Sequence, residues 1–125
     1  MRILLVEDHA DTRYVIERYF RRRGHVVALA GDLASATRFL QHESFDVIIS
    51  DIALPDGTGY ALMNEARRNG INTLAIAISA YGFPNDAFEG KVTGFDYHVP
   101  KPFDCAFLYS LVSEAKHCSA VAASH

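Results

Sequence analysis

The chain has 125 residues, 50% of them apolar and 22% charged, which is enough to fill one hydrophobic core and too short for two domains. This composition excludes a disordered chain, a collagen-like repeat and a disulfide-stapled miniprotein. The formal charge of −3, with basic residues scattered except for Arg21, Arg22 and Arg23, offers no electrostatic footprint for a nucleic-acid backbone.

In chain order, Ile3 to Val6 is a short run of branched apolar residues, as expected of a strand buried on both faces, and it stops at Glu7 and Asp8. From Asp11 to Arg23 the positions Val15, Ile16, Tyr19 and Phe20 recur at helical spacing, with Asp8 or Asp11 available as a cap and Gly24 as a stop. The three arginines end this helix, where cations complement its dipole. His25 to Leu29 reads as a second strand. Gly31 and Asp32 then introduce a helix with Leu33, Ala36, Phe39 and Leu40 on one side. A third strand spans Asp46 to Ser50, and Pro55-Asp56-Gly57 marks a loop before a helix carrying Tyr60, Leu62, Met63 and Ala66. Thr73 to Ile78 is the fourth strand. Between Tyr81 and Gly94 the residues Gly82, Pro84, Gly90 and Thr93 oppose a long helix, so a short, mobile one is expected. Tyr97 to Val99 reads as a fifth strand, and Phe103 to about His117 as a final helix with Phe107, Leu108, Leu111 and Val112 inward.

Cys105 and Cys118 have neither a CxxC nor a paired-ligand spacing and fit a reducing compartment, as packing or surface thiols. The histidines His9, His25, His42, His117 and His125 are spread without metal-ligand spacing, which argues against zinc. No apolar run approaches the roughly 20 residues that span a bilayer, and no secretory leader precedes the first strand. A cytoplasmic location without direct membrane contact is the expectation.

Strands alternating with helices argue for a parallel sheet covered on both faces, and in such sheets function gathers at the C-terminal strand ends. There stand Glu7 and Asp8, then Asp51, Ser79 and Lys101. Two carboxylates about 4 Å apart repel by on the order of 4 kcal/mol at an effective dielectric of about 20, and a divalent cation relieves this. Oxygen ligands suit Mg²⁺, or Mn²⁺. Asp51 is then placed to attack a phosphoryl group and form an aspartyl phosphate, with Lys101 and the Ser79 hydroxyl serving phosphate oxygens.

The chain resembles a response regulator receiver domain of two-component signalling. The resemblance rests on Ile3-Leu4-Leu5-Val6-Glu7-Asp8, Asp46-Val47-Ile48-Ile49-Ser50-Asp51, Leu54-Pro55-Asp56-Gly57-Thr58-Gly59, Ser79-Ala80 and Lys101-Pro102-Phe103, in the family's order and spacing. It covers essentially the whole chain, as a receiver over residues 1–118 and a tail over 119–125. It implies a flavodoxin-like (βα)5 three-layer sandwich, an α/β fold with a parallel five-stranded sheet of order 2-1-3-4-5. Carried over by position, it makes Asp51 the phosphoacceptor and Asp8 a direct metal ligand, with Glu7 acting directly or through water. The Ala53 backbone carbonyl completes the metal shell. Ser79 becomes the switch hydroxyl and Lys101 the phosphate-facing amine, with a cis Lys101–Pro102 bond. The implied partner is a sensor histidine kinase or a histidine phosphotransfer protein. Output passes through the face of the fourth helix, fifth strand and fifth helix, which is also a route to a homodimer.

Some positions depart from the family pattern. Glu7 replaces the commoner Asp, which changes metal geometry without abolishing binding. His98 stands where the family usually carries a switch Tyr or Phe, so a signalling role and a bland, partly exposed ring are equally open. Pro100 removes a strand donor and requires an edge position for the fifth strand. Ala53 cannot orient water and Tyr81 could obstruct it, so slow to moderate dephosphorylation is expected. Phe83, Phe88, Phe95 and Phe103 read as packing residues rather than partner anchors.

Two other functions compete. A binding-only pseudo-receiver is disfavoured because every chemical group is present. An aspartate-nucleophile phosphatase of the haloacid dehalogenase kind needs an acid two residues after the nucleophile, and Asp51-Ile52-Ala53 has none. As an isolated domain the chain is a self-phosphorylating acceptor, not an enzyme. It has no phosphate-binding glycine loop and, with only a short tail after the last helix, no expected DNA-binding effector. The Leu54–Gly59 loop, the Ser79-Ala80-Tyr81-Gly82 turn and His98 look most like receivers attached to hybrid sensor histidine kinases.

Overall fold

A computed structural model describes residues 1–80 and 94–113. Its elements are β1 (Arg2–Val6), α1 (Ala10–Arg21), β2 (Val26–Ala30), α2 (Leu33–His42), β3 (Val47–Asp51), β4 (Ala53–Leu54), β5 (Gly57–Thr58), α3 (Gly59–Arg68), β6 (Leu74–Ser79) and β7 (Tyr97–Pro100), followed by a C-terminal helix over 105–113. The main sheet runs β2-β1-β3-β6-β7 with every pairing parallel, while β4 and β5 form a small antiparallel hairpin. This is the flavodoxin-like five-stranded order, and β7, which carries Pro100, lies at its edge.

The two-residue period of the strands sorts their side chains into two cores. Leu4, Val6, Ile48, Ala75 and Ala77 pack with Ala36 of α2 and with Leu62, Met63 and Ala66 of α3. Ile3, Leu5, Val47, Ile49, Ile76 and Ile78 pack on the other side with Ile16 and Phe20 of α1 and Leu108 and Val112 of the C-terminal helix. Hence the central strands read as unbroken apolar runs: they have no solvent face.

Several local readings need correction. Neither Asp8 nor Asp11 caps α1, which starts earlier with His9 at the N-cap and no side-chain cap bond; Asp11 falls within the first turn. The true acidic cap is Asp32 on α2, whose side chain accepts from the Ser35 N–H at 2.8 Å and is thereby held below the usual carboxylate range. The second, third and fourth strands each lie one residue C-terminal of their expected spans. Asp46 is released from its strand and instead brackets Arg2 through both its backbone N–H and its carboxylate. As a result Asp51 and Ser79 are the last residues inside β3 and β6 rather than the first beyond them.

Phe107, expected inward, is 53% exposed, because Leu108 and Val112 one turn apart define the buried stripe and Phe107 is rotated off it. Val15 is likewise 55% exposed beside buried Ile16. Phe95 is buried and Phe103 packs against the core; the expected short helix after Tyr81, with Phe83 and Phe88, lies outside the described residues, as do Cys118 and the tail.

Gly59 joins the fold to the acidic rim. It opens α3 directly after the hairpin, and a Cβ there would lie 2.6 Å from the Asp51 carbonyl oxygen and 3.3 Å from the Phe95 ring. Because the nearest atom is strand backbone, Gly59→Ala should cost about 1–3 kcal/mol of stability, read as a lower urea midpoint with an unchanged m value.

Candidate functional site

Parallel strands end together, so register brings distant residues to one rim. Val6 pairs with Ser50, Asp51 with Ile78 and Ser79 with Pro100, which sets Glu7, Asp51, Ser79 and Lys101 at neighbouring strand ends. Lys101 is held there by its own N–H, which donates to the Ser79 carbonyl at 2.7 Å, and the Lys101–Pro102 bond after it is cis.

The Lys101 ammonium donates to Asp51 Oδ2 at 2.9 Å and to Glu7 Oε2 at 3.1 Å. Glu7 is fully buried and Asp51 almost so, at 4% exposure. Burial, and then the Asp51 charge, push the Glu7 carboxyl above its usual range, against hydrogen bonds from Lys101 and His9. Burial opposes the charge on Lys101, but its hydrogen bonds to Asp51 and Glu7 outweigh this and hold the amine above the usual lysine value. One ammonium is thus shared between two buried carboxylates.

The other Asp51 oxygen, Oδ1, accepts from the Ala53 N–H at 3.1 Å. This bond ties Asp51 to the hairpin. The Ser50 hydroxyl donates to the Asp51 carbonyl at 2.9 Å, and the Ile52 N–H donates to the Ile78 carbonyl at 3.1 Å. The Asp56 carboxylate of the same loop reaches across to accept from the Leu33 and Ala34 N–H groups at the start of α2, at 2.7 and 3.0 Å. The sequence marks only a loop here, since the partners are more than twenty positions away.

Asp8 completes the acidic group. Ligand atoms of Glu7, Asp8, His9 and Asp51 all lie within 4.8 Å of one another. Asp8 Oδ1 is buried and takes no hydrogen bond from any described residue, although His9 Nδ1 is 3.2 Å away in poor geometry. A buried carboxylate oxygen without a donor, among carboxylates that share one lysine, fits a divalent cation with oxygen ligands. In the sequence His9 is one of several scattered histidines; the structure brings it into this group. Its backbone N–H and Nδ1 both contact Glu7 Oε1, at 3.1 and 3.0 Å. The available signal was its place directly after two acids at a strand end.

Ser79 is buried at the rim, 5% exposed, and Ala53 is exposed on the hairpin. His98 lies on β7, paired with Ala77 and edge-to-face with Phe95 at 6.0 Å. Tyr81 is outside the described residues.

A fold, an acidic cluster and a bridging lysine at one rim narrow the family, and comparison decides it: the response regulator receiver domain family matches residues 3–113. The chain belongs to that family. The receiver is 38% identical over 107 residues to the transcriptional activator protein PfeR of Pseudomonas aeruginosa, which covers 86% of this chain and 35% of PfeR. It therefore spans about a third of that relative's length. It is 32% identical to the receiver domain of sensor histidine kinase PA1611 from Pseudomonas aeruginosa PAO1, whose structure has a magnesium ion coordinated in the active site cleft. That match has a TM-score of 0.80 and covers 90% of this chain and 94% of that one. A Francisella response regulator receiver domain matches with 28% identity and a TM-score of 0.83, over 90% and 93% of the two chains. Among the described residues no helix is long and apolar enough to cross a membrane.

Burial pushes the His98 imidazole of the receiver below its ordinary value of 6.5. A depressed value means that the neutral ring is preferred in the fold, so its contribution is complete above pH 6.5 and is lost as pH falls through the folded value. His98→Phe removes this titration, and the melting temperature of the wild type should drop more than that of the variant between about pH 7.5 and 5.5.

Proposed function

We propose that this receiver accepts a phosphoryl group from a phosphohistidine onto Asp51. The observation that carries the reading is the Lys101 ammonium held between Asp51 and Glu7. A carboxylate oxygen of Asp51 forms the new O–P bond as the donor's N–P bond breaks, and the departing imidazole takes up a proton. Asp8, Asp51, the Ala53 carbonyl and Glu7, directly or through water, would hold Mg²⁺ or Mn²⁺, which would neutralise charge between the acids and the incoming phosphoryl oxygens. Lys101, already hydrogen-bonded to Asp51, turns to a phosphoryl oxygen, and the Ser79 hydroxyl donates to another. The donor is a sensor histidine kinase or a histidine phosphotransfer protein. An apolar groove of about 610 Å³, with Val15, Ile16, Pro102 and Phe103 in its walls, is lined at one point by Lys101 itself and is a place for such a partner to dock.

The phosphoryl group biases a two-state equilibrium that a partner reads. Ser79 and Lys101 sit at the joined ends of β6 and β7, so a shift at Ser79 passes along the ladder to His98 and to the edge that carries exposed Tyr97. That edge is the surface for output partners or for a homodimer. We place the receiver in a hybrid sensor histidine kinase, a reading supported by its likeness to the PA1611 receiver. Any contact with nucleic acid, of the kind the name of PfeR suggests for that protein, then belongs to other domains.

Incubation with acetyl phosphate and Mg²⁺ should add one phosphoryl mass to the chain, and Asp51→Asn should abolish it. Omission of the cation, or Asp8→Asn, should slow the reaction by at least about a hundredfold. Mass spectrometry distinguishes the competing readings: continuous turnover of acetyl phosphate without adduct points to a phosphatase, and no reaction in the complete mixture points to a binding-only domain.

A further inference from the structure

His9 holds a position that neither the fold nor the proposed phosphotransfer requires. It stands at the N-cap of α1, where a side-chain oxygen ordinarily accepts from the helix, and makes no cap bond. Its ring turns to the acids instead, with Nδ1 at 3.0 Å from Glu7 Oε1 and 3.2 Å from Asp8 Oδ1. Adjacent ligand atoms on an octahedral ion with bonds of about 2.1 Å lie roughly 3 Å apart, and opposite ones roughly 4.2 Å apart. Both His9 distances therefore match edges of such a shell, and the Glu7, Asp8, His9 and Asp51 ligand atoms all lie within 4.8 Å of one another, so a small contraction gathers them around one ion. Asp8 Oδ1, a buried atom of a side chain that is 29% exposed, has no hydrogen bond from a described residue, which leaves its lone pairs for a cation beside this ring.

Carboxylate and carbonyl oxygens suit magnesium and manganese, whereas an imidazole nitrogen favours first-row transition metals. We propose that His9 Nδ1 is a ligand of the cation site, making it a mixed nitrogen–oxygen centre that binds a transition-metal divalent ion such as Mn²⁺ more tightly than Mg²⁺. The proposal rests on the reading of Glu7, Asp8 and Asp51 as cation ligands. Coordination would use the Nδ1 lone pair, so the ring would bind as its neutral Nε2–H tautomer: an imidazolium would give up its Nδ1 proton to solvent, and a neutral Nδ1–H ring would carry its proton on Nε2 instead.

Pulsed electron paramagnetic resonance of the protein with Mn²⁺ at pH 8 reads the ligand directly, through the coupling of a bound ¹⁴N nucleus. The wild type should show this coupling, and His9→Gln should lose it and bind Mn²⁺ about tenfold more weakly, with Mg²⁺ affinity changed by less than about twofold. The His9 side chain is 69% exposed and makes no cap bond, and a glutamine amide can still donate to Glu7 Oε1, so the variant should keep the wild-type circular dichroism. Mn²⁺ bound without nitrogen coupling, or coupling that survives in His9→Gln, overturns the role of His9 while leaving the acidic cation site standing. Failure of the wild type to bind Mn²⁺ at all overturns the cation site as well, and an Asp8→Asn control that abolishes binding locates the ion in this cluster.

Discussion

A single ammonium shared by two buried carboxylates is the constraint on which the receiver's rim depends. Charges of one sign do not gather in a desolvated corner unless something offsets their repulsion, and Lys101 does so for Glu7 and Asp51 with bonds of 3.1 and 2.9 Å. The cost is an arrangement that is only partly neutralised: Asp8 adds another acid, while the Lys101 ammonium is bonded to Glu7 and Asp51. A site left short of positive charge is poised for a cation and, with it, for an anion that the cation and the lysine can both hold. Stability and reactivity here draw on the same imbalance.

The fold supplies the rigidity that such a site requires. Asp51 is fixed through its backbone by the β3 to β6 ladder, through its carbonyl by Ser50 and through its carboxylate by Ala53 and Lys101. The hairpin that carries Ala53 is pinned in turn to α2 by Asp56, and α3 begins against the Asp51 carbonyl because Gly59 has no side chain to intervene. On the far side, Arg67 of α3 donates to the Gly94, Ile71 and Thr73 carbonyls and pairs with Asp96, tying the lead-in to β7 onto the helix layer. The strand that brings Lys101 to the rim is therefore anchored before it reaches it. These polar links are local and geometric; the bulk of the stabilisation comes from the two apolar layers on either side of the sheet.

Much of this could be read from the chain alone. Short apolar runs broken by acids at Glu7 and Asp51, a hydroxyl at Ser79 and an amine at Lys101 mark strand ends, because a strand buried on both faces cannot continue through a charge. Pro100 signalled an edge, and β7 is one. The signal failed where a residue's role depends on a neighbour distant in sequence or on helical phase. Asp56 looked like a turn residue because its partners, Leu33 and Ala34, are on another element. Phe107 looked inward because an apolar residue next to Leu108 fits a helix face until the neighbouring sheet selects the stripe. His9 looked incidental because spacing along the chain does not report the direction in which an N-cap side chain leaves the backbone.

What the sequence by itself determined is the alternation of strand and helix, the apolar period that hides the central strands, and the kinds of chemical group that end them. These follow from local propensity and from the cost of burying charge, which act on neighbouring residues. Only the tertiary structure decided that Lys101 lies between Glu7 and Asp51, across 94 and 50 positions of chain, that the hairpin braces Asp51, and that His9 faces the acids. Those placements come from parallel register and from packing on two faces of one sheet, and no short stretch of residues contains that information.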